Sequence, residues 1–124
     1  MPTRILIADD HPLFRAAMCH ALSSGSGAEL VEASTFPETM NMLAQDTTID
    51  VVFLDLGMPG SEGLNGLSEV RAEYPDVRVV IVTAQDSPGI VQRALSLGAS
   101  GFILKSASVA VILDAVNTVL EGET

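Results

Sequence analysis

Hydrophobic residues are grouped along the chain in short runs, and four of these runs end on polar residues. The runs and their polar ends are 5–8 with Asp9 and Asp10, 51–54 with Asp55, 79–82 with Thr83, and 102–104 with Lys105. A fifth run, 29–33, also predicts a strand. Apolar runs of this length, bounded by polar residues, are typical of strands buried in a parallel sheet.

Helical spacing of apolar residues fills the segments between these runs. Helices are predicted at 12–23, from 35 through 43, at 64–73, from 87 to 98, and from 106 or 108 to about 121. In the first, six residues form one apolar stripe: Leu13, Phe14, Ala17, Met18, Ala21 and Leu22. The segment 35–38 has the form of a capping box, with Thr35 as the cap and Glu38 at the third helical position. Strand and helix alternate five times, which predicts an α/β fold: a five-stranded parallel sheet, doubly wound, with helices on both faces.

Length and charge narrow the class of protein. The chain has 124 residues, which fits one domain, 1–124, with a sizeable core. Cys19 is the single cysteine, so a disulfide scaffold is not expected. The net charge of −10 would repel a phosphate backbone, so this domain alone is not expected to bind nucleic acid. With no signal peptide and no apolar stretch of about 20 residues, a cytoplasmic location without a membrane segment is expected.

The polar strand ends predict one chemical site, because the carboxyl ends of parallel strands share an edge of the sheet. Carboxylates gathered there repel one another, so either one stays protonated or a cation joins them, and Mg²⁺ suits oxygen ligands best. No cysteine or histidine cluster suggests zinc, and His11 and His20 are interpreted as capping or helix-surface residues. With the metal bound, Asp55 could form an aspartyl phosphate, since Asp9 and Asp10 are better suited to holding metal. Lys105 would then ion-pair with one phosphoryl oxygen, and the Thr83 hydroxyl would hydrogen-bond another.

The motifs together resemble a known family. Asp-Asp at 9–10, Asp-Leu-Gly-Met-Pro-Gly at 55–60, Thr-Ala at 83–84 and Gly-Phe-Ile-Leu-Lys at 101–105 are similar to the signature of bacterial two-component response regulator receiver domains. Asp-Asp-His-Pro-Leu-Phe-Arg at 9–15 and Gly-Ala-Ser-Gly-Phe at 98–102 further resemble the subfamily with a LuxR-type helix-turn-helix output. The resemblance covers essentially the whole chain. It implies a flavodoxin-like strand order, 2-1-3-4-5.

The resemblance also implies a ligand set and a switch. Mg²⁺ would be held by Asp10, Asp55 and the Gly57 carbonyl, with Asp9 assisting through water. A sensor histidine kinase would donate a phosphoryl group to Asp55, and Thr83 and Phe102 would move in response. The protein would be a signalling switch that catalyses only its own phosphorylation and dephosphorylation. No DNA-binding helix is recognisable within the 124 residues, so the resemblance implies either the receiver half of a transcription factor or a stand-alone signalling protein.

Three alternatives belong to other classes. A haloacid dehalogenase type of phosphatase would need a second Asp two residues after the nucleophile, where this chain has Gly57. A flavin-binding module would share the sheet order, but the chain has four Phe, one Tyr and no Trp to hold the flavin ring. A degenerate receiver that serves only as a protein-interaction scaffold is the closest rival.

The last predicted helix is apolar on more than one side. Val109, Ile112, Leu113 and Val116 can face the sheet, whereas Val111, Ala115 and Val119 form a second stripe at helical spacing. An association surface is therefore predicted on this helix, used for homodimers or for docking an output domain.

Overall fold

In the described part of the chain, five parallel strands form one sheet, and five helices lie in the connections between and after them. The computed structural model describes residues 3–25, 29–57, 64–84, 88–106 and 109–120. The elements are β1 Arg4–Ala8, α1 Pro12–Gly25, β2 Glu29–Ala33, α2 Phe36–Gln45, β3 Val51–Asp55, α3 Asn65–Glu73, β4 Arg78–Thr83, α4 Pro88–Ser96, β5 Gly101–Leu104 and α5 Val109–Leu120. The strand order is β2-β1-β3-β4-β5, so the predicted fold and strand order are confirmed. Among the described helices, none combines the length and apolarity needed to cross a bilayer.

Two of the polar residues predicted to follow strands are themselves strand residues. Asp55 pairs with Val82 across β3 and β4, and Thr83 pairs with Leu104 across β4 and β5. The ladder continues through these residues because a neighbouring strand still supplies a backbone partner. Their side chains are therefore fixed by the sheet and not by a loop.

The two faces of the sheet carry separate hydrophobic cores. On one face, sheet residues such as Leu6 and Ile81 pack with Leu43 of α2, Leu67 of α3 and Ala94 of α4. On the other face, the packed residues include Ile7, Phe53, Met18 of α1 and Ile112 of α5. Successive strand residues point to opposite faces, so a run of consecutive apolar residues feeds both cores.

Helix α1 buries a narrower stripe than its sequence predicts. Met18 and Leu22 are buried and Phe14 packs partly against the second core, but Leu13 is 88% exposed and Ala17 is also exposed. Residues 14, 18 and 22 form one row four residues apart, and Leu13 and Ala17 lie on the adjacent row, which faces solvent. The prediction was wrong for those two residues. The helix also runs two residues further than predicted, to Gly25.

The start of α2 follows the predicted capping box in its first half. The Thr35 hydroxyl accepts a hydrogen bond from the backbone N–H of Glu38 at 3.2 Å. The Glu38 carboxylate accepts from the N–H of Ser34 at 3.3 Å, one residue before the cap. Both side chains therefore satisfy backbone donors at this helix start.

Helix α5 agrees in part with its predicted faces. Ile112 is buried in the second core as predicted, and Val111 is 58% exposed. Ala115 was predicted on the second stripe but packs partly against the second core, so that assignment was wrong. The side chains of residues 109, 113, 116 and 119 lie outside the described part of the chain, as do Ser87 and Ser108, the predicted helix starts.

Candidate functional site

The carboxyl end of β1 places Asp9 and Asp10 at the edge of the sheet. The backbone N–H of Asp9 donates to the carbonyl of Ala33 at the end of β2, at 3.0 Å, which extends the pairing one residue past β1. The Asp9 side chain is 2% exposed and that of Asp10 is 30% exposed. The pair thus combines one buried carboxylate with one that solvent can reach.

Asp55 lies beside them on the central strand β3. Its side chain is 4% exposed, and Oδ1 accepts a hydrogen bond from the backbone N–H of Gly57 at 3.1 Å. The strand register explains the proximity: Ala8 pairs with Leu54, so Asp9 and Asp55 occupy equivalent positions on adjacent strands. Asp55 is therefore a buried carboxylate fixed at both its backbone and its side chain.

Lys105 brings a positive charge into the cluster. Its Nζ donates to Asp55 Oδ2 and to Asp9 Oδ1, both at 3.2 Å, and lies 5.0 Å from the centroid of the Phe14 ring. The backbone N–H of Lys105 donates to the Thr83 carbonyl at 2.8 Å, which fixes where the side chain begins. The structure thus brings Asp9, Asp55 and Lys105 together.

The remaining predicted residues lie around this cluster. Thr83 is 2% exposed at the end of β4, one residue beyond the partner of Asp55. Gly57 is exposed, and a Cβ at that position would lie 3.8 Å from Asp55 Oδ1. Phe102 on β5 is partly buried against the first core. The chemical roles assigned to these residues stay predictions.

His11 is part of the cluster, which the sequence interpretation missed. Its side chain is 62% exposed, but Nδ1 lies 3.1 Å from Asp9 Oδ1 and 2.6 Å from Lys105 Nζ. The backbone N–H of His11 donates to Asp9 Oδ1 at 2.8 Å, so Asp9 caps the turn that leads into α1. This turn folds the imidazole back over the carboxylates, and the sequence signal was the position of His11 directly after two aspartates.

The charges of the cluster favour a divalent cation. One donor atom from each of Asp9, Asp10, His11 and Asp55 lies within 4.8 Å of the other three. When the three carboxylates are ionised, the Lys105 ammonium leaves two negative charges in excess. Among the described residues, Asp9 Oδ2 and Asp10 Oδ1 are buried and accept no hydrogen bond, although Lys105 Nζ lies 3.1 Å from Asp9 Oδ2. The uncompensated negative charge and the oxygen donors fit Mg²⁺, which prefers oxygen ligands.

Arg15 of α1 makes hydrogen bonds to the backbone next to the cluster and to β2. Its guanidinium donates to the Asp9 carbonyl at 2.6 Å through Nη1 and to Glu32 of β2 at 2.8 Å through Nε. The side chain is 20% exposed. Arg15 therefore connects the first turn of α1 to the ends of β1 and β2. It does so through the backbone carbonyl of Asp9, the residue whose carboxylate is buried in the cluster.

The fold and the cluster define an α/β domain with a carboxylate-rich cluster at the carboxyl edge of its parallel sheet. The family model described as the response regulator receiver domain matches residues 5–117. The chain belongs to this family.

Two relatives of the chain are named as an activator and a probable transcriptional regulator. The chain is 41% identical over 120 residues to the glycerol metabolism activator of Pseudomonas putida, covering 96% of this chain and 54% of the relative. It is 38% identical over 120 residues to the probable transcriptional regulatory protein NarL of Mycobacterium tuberculosis, covering 96% of this chain and 55% of the relative. The chain thus spans about half the length of these relatives.

Solved structures of receiver domains have the same fold. The signal receiver domain of the putative response regulator NarL from M. tuberculosis superposes with a TM-score of 0.86 and 36% identity, covering 98% of each chain. A LuxR-family two-component response regulator from Aurantimonas sp. superposes with a TM-score of 0.89 and 28% identity, covering 99% of this chain and 88% of the other. The resemblance to receivers of LuxR-family regulators is therefore confirmed.

Proposed function

We propose that this receiver domain accepts a phosphoryl group on Asp55 from the phosphohistidine of a sensor histidine kinase. The observation that carries the proposal is the position of Asp55 Oδ2, buried and 3.2 Å from Lys105 Nζ in a pocket with two further carboxylates. A carboxylate oxygen of Asp55 attacks phosphorus, the O–P bond forms as the P–N bond breaks, and the electron pair returns to the histidine nitrogen.

Asp10, Asp55 and the Gly57 carbonyl would hold Mg²⁺, with Asp9 acting through a water molecule. The metal supplies positive charge beside the phosphoryl oxygens, where phosphoryl transfer depends mainly on positioning and electrostatics. Lys105 would move from its carboxylate partners to a phosphoryl oxygen, and the Thr83 hydroxyl would donate to another. Hydrolysis of the acyl phosphate would return the domain to its first state.

Intact mass after acetyl phosphate treatment, with and without Mg²⁺, tests this proposal. We expect the parent to gain the mass of one phosphoryl group only when Mg²⁺ is present. Asp55→Asn should gain nothing, whereas Asp76→Asn, an exposed acid before β4 at the opposite edge of the sheet, should label like the parent. A parent that is never labelled would instead favour the degenerate receiver that acts only as a scaffold.

The phosphorylated domain would act through Thr83 and Phe102. Phosphorylation would replace the singly charged Asp55 carboxylate with an acyl phosphate that carries at most two negative charges and three acceptor oxygens, which would draw the Thr83 hydroxyl toward Asp55. Phe102 would then repack, and this switch must work by packing because phenylalanine lacks a hydroxyl. Structures with and without a phosphoryl mimic that show Phe102 in a single rotamer would contradict it.

The output is proposed from the relatives. They include transcriptional regulators about twice as long as the matched segment. By extension, this domain would control transcription through a DNA-binding domain in a longer protein in the cytoplasm. Homodimers through α5 are proposed on the exposed Val111.

A further inference from the structure

His11 places a nitrogen donor among three carboxylates. Its Nδ1 lies 3.1 Å from Asp9 Oδ1, 3.2 Å from Asp10 Oδ1 and 3.5 Å from Asp55 Oδ2. Imidazole nitrogen is a ligand that zinc and related transition metals accept readily, whereas Mg²⁺ is bound by oxygen. The cluster therefore contains one more type of ligand than a magnesium site uses.

The contact with Lys105 indicates that His11 Nδ1 acts as an acceptor toward the cluster. Lys105 Nζ lies 2.6 Å from His11 Nδ1. An ammonium has donors and no acceptor, so Lys105 donates and Nδ1 presents its lone pair. The same ammonium contacts Asp9 and Asp55. The Lys105 charge thus lies among donor atoms from three residues, as a bound cation would.

The three separations between His11 Nδ1 and the carboxylate oxygens suit a four-coordinate ion. Ligand bonds of about 2.0–2.1 Å in a tetrahedral zinc site place neighbouring ligand atoms about 3.3 Å apart. The three distances from His11 Nδ1 to the carboxylate oxygens bracket this value. Independently of His11, the 2%-exposed Asp9 has a buried Oδ2 that accepts no hydrogen bond within the described part of the chain and already lies 3.1 Å from one cation, the Lys105 ammonium.

We propose that His11 Nδ1 joins Asp9, Asp10 and Asp55 as the fourth ligand of a zinc-class divalent cation, which binds in competition with Mg²⁺. Lys105 Nζ would leave its contact with Nδ1 when the ion enters. The inference rests on the proposed function in that both use this pocket as a divalent-cation site. It adds a second class of metal and a ligand that magnesium binding does not need.

Metal binding by untagged protein tests the inference without any measurement of phosphorylation. The affinities for three ions are compared in the parent, His11→Ala and His11→Gln. Co²⁺ binding is followed by its visible spectrum, which reports nitrogen ligation. Zn²⁺ and Mg²⁺ binding is measured by titration calorimetry. His20→Ala is the matched control, because His20 is the other histidine of the chain, is also exposed, and lies on α1 shortly after His11. Circular dichroism verifies that each variant folds.

We expect both His11 variants to bind Co²⁺ and Zn²⁺ at least about tenfold more weakly, since even outer partners of metal ligands contribute 10- to 100-fold. Mg²⁺ affinity should change by less than about threefold, because its ligands are oxygens. His20→Ala should match the parent. Equal Co²⁺ and Zn²⁺ affinity in the parent and the His11 variants would overturn the inference.

The two proposals fail separately in these experiments. If the parent is labelled by acetyl phosphate but Co²⁺ binding ignores His11, only the zinc-class site is refuted. If Co²⁺ binding needs His11 but Asp55 is never labelled, the phosphoryl acceptor is refuted and the metal site stands.

Discussion

At the scale of single residues, Lys105 carries the electrostatic balance of the cluster. It is the only lysine of the chain, and its ammonium contacts the buried carboxylates of Asp9 and Asp55. Without it, these two buried carboxylates would lie close together with no ammonium beside them. The stability of the domain should therefore depend on this one cation when no metal is bound.

Lys105→Gln is expected to lower the free energy of unfolding by about 1–3 kcal/mol in metal-free buffer, because buried charges lose their partner. Added Mg²⁺ should restore part of the loss by supplying charge at the same place. Urea unfolding with and without Mg²⁺ measures both effects, with Arg93→Gln on the exposed side of α4 as the control. A variant as stable as the parent without metal would contradict the prediction.

Cys19 gives a second prediction at this scale, from its pKa. Burial raises the pKa of the Cys19 thiol, and Glu32 raises it further through its charge and a hydrogen bond, although Arg15 opposes them. The neutral thiol is thus favoured in the folded state. Its contribution to stability is complete below the ordinary value of 9.0 and is lost as the pH rises through the higher folded pKa.

Alkylation of Cys19 measured against pH should therefore have its midpoint above that of the urea-unfolded chain. Glu32→Gln should move the midpoint down, whereas Glu69→Gln on α3 should leave it in place. An unchanged midpoint in Glu32→Gln would show that Glu32 does not act on the thiol.

At the scale of the elements, α2 depends on its first turn. The Thr35 hydroxyl satisfies the Glu38 N–H, and removing such a cap costs about 1 kcal/mol. Thr35→Ala should lower the unfolding free energy by that amount in urea denaturation. Thr47→Ala, an exposed threonine after the same helix, should change it by less than about 0.5 kcal/mol. Equal effects of the two substitutions would exclude the cap as the cause.

The limits of prediction are clearest in α1. Periodicity places the helix correctly but cannot distinguish two adjacent apolar rows, and the sheet covers only one of them. Leu13 and Phe14 are adjacent in the sequence and both apolar, yet Leu13 is 88% exposed while Phe14 packs on the second core. Strands were easier to predict, because both faces of the sheet are covered by helices. A residue of an apolar run in a central strand is therefore buried, whichever face its side chain points to.

Part of the site could be predicted from the sequence because the parallel strands determine it, and part could not because it depends on the geometry of one turn. Parallel strands bring their carboxyl ends to one edge, so the convergence of Asp9, Asp55 and Lys105 could be predicted from the runs alone. The place of His11 could not, because it depends on a turn in which Asp9 accepts the backbone N–H of His11. Such local hydrogen bonds leave no periodic signal in the sequence.

At the scale of the whole molecule, self-association is the property to measure. Val111 is 58% exposed on a helix with few polar residues. Sedimentation with and without an acyl phosphate mimic should show dimers, more of them with the mimic, and Val111→Asp should weaken them by placing a charge in the contact. Strictly monomeric behaviour of the parent in both conditions would contradict a dimer through α5.

The position of the acidic cluster in the strand order has a consequence for the motions of the domain. β1, β3 and β4 each pair with a strand on both sides, and Asp9 and Asp55 lie at the carboxyl ends of two of these three strands, β1 and β3. Local opening is rarest in strands that are paired on both sides, so amide protons of β1, β3 and β4 should be the last to exchange with deuterium. The carboxylates that repel one another are thus attached to strands whose backbone exchanges most slowly. Ion binding at these carboxylates should therefore change mainly the rate at which the whole sheet opens.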